Sequence, residues 1–486
     1  MLEIKILLKQ SSHYLTGQII MMSAGFISFP ILTRIFSVGD YGILGLITTT
    51  LFIVTSIAKF GIPESIVRFY AEFKAMNRLN SFYSTFFVAS MVIAGGVAIC
   101  FFLLTRLIDK NFLGANNENL LSLFSVLIFT NCLSGTVTSF LRADQKTKLF
   151  NLIAIISKYG SLGVSIFLVF FFIKGLYGFY VGQIVSGITV LFCLMYFSFR
   201  KGRIRLSGFS PNILKDSFKF GFPLLLAELG YLVLNYADRY LIQLYLGSIP
   251  LGLYVAGYNL ATYVTEVIIY PVNYAMTPIY LSILVNKGEE ETRKFLTNTF
   301  RYFLLIMFPV AFGFIAVGKD LLALLASSKY IEANIIFPYV VIGQSIHASS
   351  MILNNGLFIK KKTHLVTIIM ISACLVNIGL NILLIPHFGI LGAAQATLIS
   401  YIFHTVVITY YAFKEFSFRI DYAHIVLYLI AALIMFISVK SVHLGGQLEN
   451  LLNKVGIGVV IYFCLVIIFD KDIRRNVVNF AYSLKK

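Results

Sequence analysis

The sequence has no tryptophan, 10 prolines and 5 cysteines among 486 residues, and only 12% of it is charged. A soluble globular domain carries about 25% charge, so this scarcity excludes an ordinary water-exposed fold. Cys100, Cys132, Cys193, Cys374 and Cys464 show no paired spacing, and all lie in apolar runs. That excludes a disulfide framework or a thiolate metal site and leaves buried free thiols. Without Trp, the 28 Tyr must supply most of an interfacial aromatic belt. Acidic residues are also few, 21 against 39 Lys and Arg, for a net charge of +18. Recognisable reaction motifs are missing too. There is no G-x-x-x-x-G-K-[ST], no H-E-x-x-H and no Cys/His cluster. The longest outer segment, roughly Gly318 to Asn334, is too short for the catalytic loop of a membrane glycosyl polymerase or ligase. An enzyme is therefore not expected, and no cofactor. Any work must draw on an ion gradient, the membrane potential or a substrate gradient.

What the chain has in abundance is apolar sequence: 58% is hydrophobic, with a mean hydropathy of +0.87. About 20 apolar residues span a bilayer as a helix, and a helix satisfies its own backbone there. Fourteen such runs fall near 13–36, 41–66, 82–105, 120–141, 150–173, 176–198, 213–236, 251–283, 295–317, 334–358, 364–385, 389–413, 422–441 and 452–469. With both termini cytoplasmic, 28 Lys and Arg fall in cytoplasmic segments and 8 in outer ones, with Arg34, Lys59 and Lys158 inside spans. This is the positive-inside bias of a multi-pass membrane protein, and it accounts for the net charge without nucleic acid. No cleavable signal is expected, because the first run is too long for a signal h-region.

The basic linker from Arg200 to Lys219 divides twelve runs into six and six. At an offset of 214 residues, Gly175, Gly178, Ser186, Tyr196 and Phe199 map onto Gly389, Gly392, Ser400, Tyr410 and Phe413, and Gly182 onto Ala396. Each half thus carries a stripe of small residues that permits close helix approach. The expected fold is an all-α membrane protein of about fourteen spans. It comprises a six-helix lobe over 1–205, a second over 206–415 related by a parallel repeat, and two further helices with a basic cytoplasmic tail over 416–486.

Ionisable residues inside spans are costly and mark candidate sites. Lys59 shares a helical face with Thr48 and Thr55, and Lys158 one with Ser161 and Ser165. Both belong to the inner half of the first lobe, with snorkelling toward the headgroups as the competing reading. Arg34 and Arg239 lie near outer ends, where interfacial anchoring competes. Arg142 ends a polar stripe with Asn131, Ser134 and Thr138. Glu228 shares a face with Tyr231, Asn235 and Asp238, and Glu266 with Asn259, Thr262 and Asn273. These carboxylates suit a coupled cation, Na+ or H+, or simply helix packing. A further stripe holds Gln344, His347, Met351 and Asn354; His347 and His404 read as packing residues. Pro30, Pro63, Pro223, Pro271, Pro278 and Pro309 interrupt or border spans and can kink them.

Leu32 to Lys74 carries a helix ending in L-x-R, a turn to an acidic residue and Tyr-Gly, a second helix, then Gly-x-x and a basic-aromatic exit. Leu32, Arg34, Asp40, Tyr41, Gly42, Gly61 and Arg68 fill those places. This resembles the opening of Wzx-type polysaccharide flippases, whose superfamily also contains lipid II flippases and MATE multidrug exporters. The resemblance implies alternating access between two six-helix lobes. It also implies movement of an isoprenoid-pyrophosphate-linked oligosaccharide to the outer leaflet of a bacterial plasma membrane, for surface polysaccharide such as O-antigen. Lys59, Lys158, Arg34, Arg142 and Arg239 would then hold the substrate. Glu228, Glu266 and Asp238 would take the coupling ion. Membrane lipids, a polysaccharide polymerase and glycosyltransferases are the expected partners. A cation-coupled multidrug exporter or a lipid II flippase remain the alternatives.

Overall fold

The computed structural model describes residues 20–21, 23–105, 120–199, 208–442 and 444–475. The start of the first expected run, residues 200–207 of the basic linker, and the side chains of Pro271, Asn273 and Pro278 lie outside the described residues. The chain divides into two compact units at Gly252/Leu253, and the described elements are helices.

The first unit opens with α1 (Ser23–Ile35) and α2 (Val38–Lys59). Ser37 caps α2: its Oγ accepts from the Asp40 N–H at 3.1 Å and donates to Asp40 Oδ2 at 2.7 Å. The run expected as one span over 41–66 is broken after Lys59. Phe60 (φ 49) and Gly61 (φ 69) both take the left-handed conformation, and α3 (Ile62–Ala75) then starts with Pro63 in its first turn. A side chain at residue 61 is precluded twice. Its φ disfavours a Cβ, and that Cβ would stand 2.3 Å from the Gly221 carbonyl oxygen. Then follow α4 (Leu79–Leu104), α5 (Leu120–Ala143), α6 (Thr147–Phe171), α7 (Gly175–Phe199) and α8 (Pro211–Leu246). Helix α5 packs on α2, α4 and α7, and α6 on α7. The eighth helix, which the linker would place at the head of a second lobe, packs against α2 and α3. Ile62, Ile66, Phe82, Phe86, Val137 and Ile213 belong to the core where α3, α4, α5 and α8 meet.

The second unit contains most of α9 (Ser248–Leu321), 74 residues broken at Gly288 (φ 85, ψ −176). The segment after it, expected from sequence as an outer loop, is helical: a π-helical turn (Leu322–Ala326) leads to a 3-10 helix (Ser328–Ile335). Next come α10 (Phe337–Leu353), α11 (Asn355–Ile359) and α12 (Thr363–Glu415), the last broken at Gly389. Finally α13 (Tyr422–Lys440) and α14 (Gln447–Phe469) pack on each other. Among the described residues ten helices are long and apolar enough to cross a membrane, or eleven with one bent pair counted together. Two of these, at 48 and 53 residues, are long enough for two crossings. This is a multi-pass membrane protein.

The sequence repeat has a local structural counterpart in each unit. Gly175 (φ 81) and Gly389 (φ 60) both turn the chain into a helix. Three residues on, a Cβ at Gly178 would stand 1.8 Å from the Ile173 carbonyl oxygen, and one at Gly392 2.3 Å from that of Leu384. The small residues allow the chain to fold tightly back on the carbonyls preceding the turn.

Candidate functional site

Lys59 is the C-terminal residue of α2, where a cation complements the helix dipole. Its side chain is half-buried and runs along α5: a Cβ at Gly135 would lie 3.3 Å from Lys59 Cε and 4.0 Å from Nζ. Glycine at 135 is thus what gives the lysine its path. One turn earlier on α5, Cys132 Sγ donates to the Ala58 carbonyl at 3.4 Å, which ties the two helices together. Thr55 Oγ1 and Ser56 Oγ, on the last turns of α2, are buried without a hydrogen-bond partner among the described residues. The Lys59 ammonium likewise makes no hydrogen bond or ion pair among the described residues. Beyond the break after Lys59, Arg68 pairs with Glu72 on α3 at 2.7 Å.

Lys158 is exposed on α6, whose principal partner is α7. Its neighbour Tyr159 donates to the Ile20 carbonyl at 2.8 Å and lies 2.8 Å from Ser23 Oγ. Ser165, on the expected Lys158 face, is buried against Gly182, where a Cβ would come within 2.4 Å of Ser165 Cα. Arg34 is exposed and donates to the Pro30 carbonyl at 2.8 Å, and Arg142 is exposed near the end of α5. The stripe beside Arg142 spends its hydroxyl locally, Thr138 Oγ1 donating to the Ser134 carbonyl at 2.8 Å.

Arg239 is only 4% exposed. Its Nη1 donates to Thr49 Oγ1 at 3.1 Å and to the Gly45 carbonyl at 3.3 Å, and its guanidinium lies 4.7 Å from the Tyr236 ring centre. Tyr240 and Thr50 hydroxyls are 2.6 Å apart beside it. A polar rung therefore joins α2 to α8, with Asp238 buried next to it. Glu228, two turns and more before, is exposed, so the expected Glu228–Asp238 face is half outside and half inside the unit.

In the second unit Glu266 is half-buried on α9. One turn before it, Gln344 Nε2 donates to Thr262 Oγ1 at 2.6 Å while Thr265 Oγ1 donates to Gln344 Oε1 at 2.5 Å. His347 stacks on Tyr401 at 4.7 Å and sits 5.1 Å from His404, and the Tyr258 and Tyr401 hydroxyls are 3.2 Å apart. Both His404 ring nitrogens lack a partner among the described residues. The helices α9, α10 and α12 thus assemble a buried polar cluster that single-helix faces do not foretell. A second one lies within α12, where Asn381 Nδ2 donates to Asn377 Oδ1 at 2.9 Å and both residues are buried.

Arg301 lies inside the apolar run expected near 295–317. It is buried, and it donates to Asp470 at 2.7 Å, Asp472 at 3.0 Å and the Tyr428 hydroxyl at 3.0 Å. His424, Asp470 and Asp472 bring ligand atoms within 4.8 Å of one another, yet both carboxylates already pair with Arg301, and Arg475 lies a further 3.9 Å from Asp472. The arrangement is a lock between α9 and α13–α14 rather than a cation site. The rule that flagged Lys59, an ionisable residue inside an apolar run, would have flagged Arg301 and Lys454 as well. Lys454 is paired with Asp320 at 2.7 Å.

Residues 31–335 match the sequence profile of the polysaccharide biosynthesis protein family. Among curated proteins, the chain is similar to the probable low-salt glycan biosynthesis flippase Agl15 of Haloferax volcanii, 22% identical over 278 residues, or 54% of this chain. That alignment spans 58% of the relative's own length. Among solved structures, the fold is that of the lipid II flippase MurJ in an inward-closed conformation: TM-score 0.78, 16% identity, covering 96% of this chain and 99% of that one. A Vibrio cholerae MATE transporter is similar at TM-score 0.56 and 14% identity, over 84% of this chain and 96% of that one. With more than half of its length matched, the chain belongs to the polysaccharide biosynthesis protein family, on the fold shared by MurJ and MATE transporters.

Proposed function

We propose that this protein is an alternating-access flippase. It moves an isoprenoid-pyrophosphate-linked oligosaccharide from the cytoplasmic to the outer leaflet of a bacterial plasma membrane, with both termini cytoplasmic. The observation that carries the reading is Lys59: a half-buried ammonium with no anion beside it among the described residues, in a chain of this family. A buried unpaired cation is costly, and a diphosphate would relieve that cost through several charge-assisted hydrogen bonds, strengthened wherever water is partly excluded. Lys158, exposed on α6, is the second group of the loading site, and Arg142, exposed near the end of α5, is a further cation for the same headgroup; Arg34, near the outer end of its run, would meet the headgroup after translocation. Arg239 acts within the α2–α8 rung rather than as a free arm. The carboxylates Glu228, Glu266 and Asp238 are the candidates for Na+ or H+ coupling. The name of Agl15 and the fold of MurJ support the flippase class.

Lys59→Ala and Lys158→Ala should each lower export of surface polysaccharide by about 10- to 100-fold, the worth of one charge-assisted bond, while Lys→Arg retains part of it. Membrane abundance must be matched, since lost insertion mimics lost transport. A double Ala variant that inserts normally and exports glycan like wild type would sink the reading. Glu228→Gln or Glu266→Gln should uncouple transport from the ion gradient. Intact glycan export with lost resistance to cationic drugs would point to an exporter instead.

A further inference from the structure

A cavity of about 610 Å³ opens in the second unit between the start of the second α9 segment and the link from α12 to α13. Three of its lining side chains are cations, Arg293, Lys294 and Arg419, against a single carboxylate, Glu290. That carboxylate is already matched: Lys294 Nζ lies 3.4 Å from Glu290 and 2.9 Å from Glu291. Arg293 is held in place. It donates to the Ser417 carbonyl, its guanidinium lies 4.1 Å from the Phe416 ring centre, and Glu289 sits 3.4 Å from it. By contrast Thr297, Asn298 and Arg419 make no hydrogen bond or ion pair among the described residues, although all three face the same cavity. A fixed guanidinium, a second one with all its donors unspent and two neutral polar groups are thus gathered around one space.

We propose that this cavity is a binding site for a phosphate-bearing anion, separate from the loading site around Lys59. Guanidinium groups match phosphate oxygens with two parallel N–H donors, and Thr297 and Asn298 supply the neutral donors that fix an oxyanion's orientation. The volume suits a headgroup or a small phosphorylated solute. Of the lysines nearby in the same unit, Lys360 pairs with Glu289 and Lys362 with Glu415, each at 2.7 Å, while Lys287, Lys361 and Lys414 are in no ion pair among the described residues and add to the positive field that collects anionic headgroups. Phosphate is the shared chemistry. Its source is either an anionic phospholipid in the leaflet or a soluble phosphate compound.

The test uses the purified full-length chain in two arms: native mass spectrometry with phosphatidylglycerol against phosphatidylcholine, and calorimetry with inorganic pyrophosphate. Lys294→Gln with Arg419→Gln removes two exposed cations and should preserve the fold, checked by thermal stability. Thr297→Val is a second, volume-conserving variant, and Arg78→Gln on the first unit is the control. Phosphatidylglycerol retention that falls at least fivefold in the double variant, and less in Thr297→Val, supports the site and assigns it to lipid. Pyrophosphate binding lost in the double variant, with lipid retention unchanged, supports the site and assigns it to a soluble phosphate. Wild-type behaviour of the double variant in both arms overturns the proposal, and so does an equal loss in Arg78→Gln.

Discussion

Glycine 135 decides where Lys59 can lie. A methyl there would approach Lys59 Cε to 3.3 Å, tight but against the flexible end of a side chain, whereas an isobutyl group would claim the lysine's path. Gly135→Ala should therefore insert and export nearly normally, and Gly135→Leu should insert but lose export about as Lys59→Ala does. Gly96, with nothing within 4 Å of a built Cβ, is the control, and Gly96→Leu should leave export unchanged. Quantifying surface glycan at matched membrane abundance decides between them. A different residue-scale balance holds Asp470, whose side chain is inaccessible. Burial pushes its carboxyl up, but the Tyr428 hydroxyl, the Arg301 guanidinium and the Ile473 backbone N–H more than offset this and hold its pKa at about 2. The folded value lies below the ordinary 3.9, so the contribution to stability is present above pH about 4 and is lost as pH falls through about 2. Arg301→Met strands the buried carboxylate and should lower stability by about 3–5 kcal/mol, read as a fall in melting temperature in detergent. Asp470→Asn should be milder at neutral pH, because it leaves no uncompensated anion. Equal losses would mean that packing, not charge, holds the lock.

At the scale of elements, the repeat predicts a ranking. Gly175→Ala places a Cβ in a left-handed conformation with nothing within 4 Å, a cost of about 1–2 kcal/mol. Gly178→Ala and Gly392→Ala drive a Cβ to 1.8 and 2.3 Å from a carbonyl oxygen, so the turn itself must open. Melting temperatures should fall more for these two than for Gly175→Ala, and a reversed order would show that the tight turns adjust freely. These glycines were legible as a repeat because identical turns need identical small residues. The break after Lys59 was not legible, since Phe60 gives no sign of its positive φ and Pro63 borders a helix as readily as it kinks one. The two lock pairs also hid: Arg301 and Asp470 are 169 residues apart, as are no neighbours on any helical face. Ion pairs join Asp320 to Lys454 and Arg301 to Asp470, from the end and the first half of the second α9 segment, while Val317, Tyr428, Met435 and Tyr462 pack in one apolar core. The last two helices, expected from sequence as additions beyond the two lobes, pack within the second unit.

For the whole molecule, hydropathy carried the helical class because a bilayer imposes its thickness on every crossing. Side-chain sites were less legible, because a face drawn on an isolated helix says nothing about which neighbour covers it. Glu228 is exposed while Asp238, drawn on the same face, is buried. Orientation rests on a different physical footing, the asymmetry of Lys and Arg between alternate turns, and it makes a prediction independent of any side-chain contact. Met76 follows α3 in a turn flanked by Lys74 and Arg78, and Gln447 opens α14 after a turn that carries no Lys or Arg from Ser441 onward; both are exposed. In a background with the five native cysteines replaced, a cysteine at 447 should react with a membrane-impermeant maleimide added to intact cells. One at 76 should react only after permeabilisation. Labelling of 76 from outside would invert the orientation, and with it the leaflet from which Lys59 and Lys158 could load a substrate.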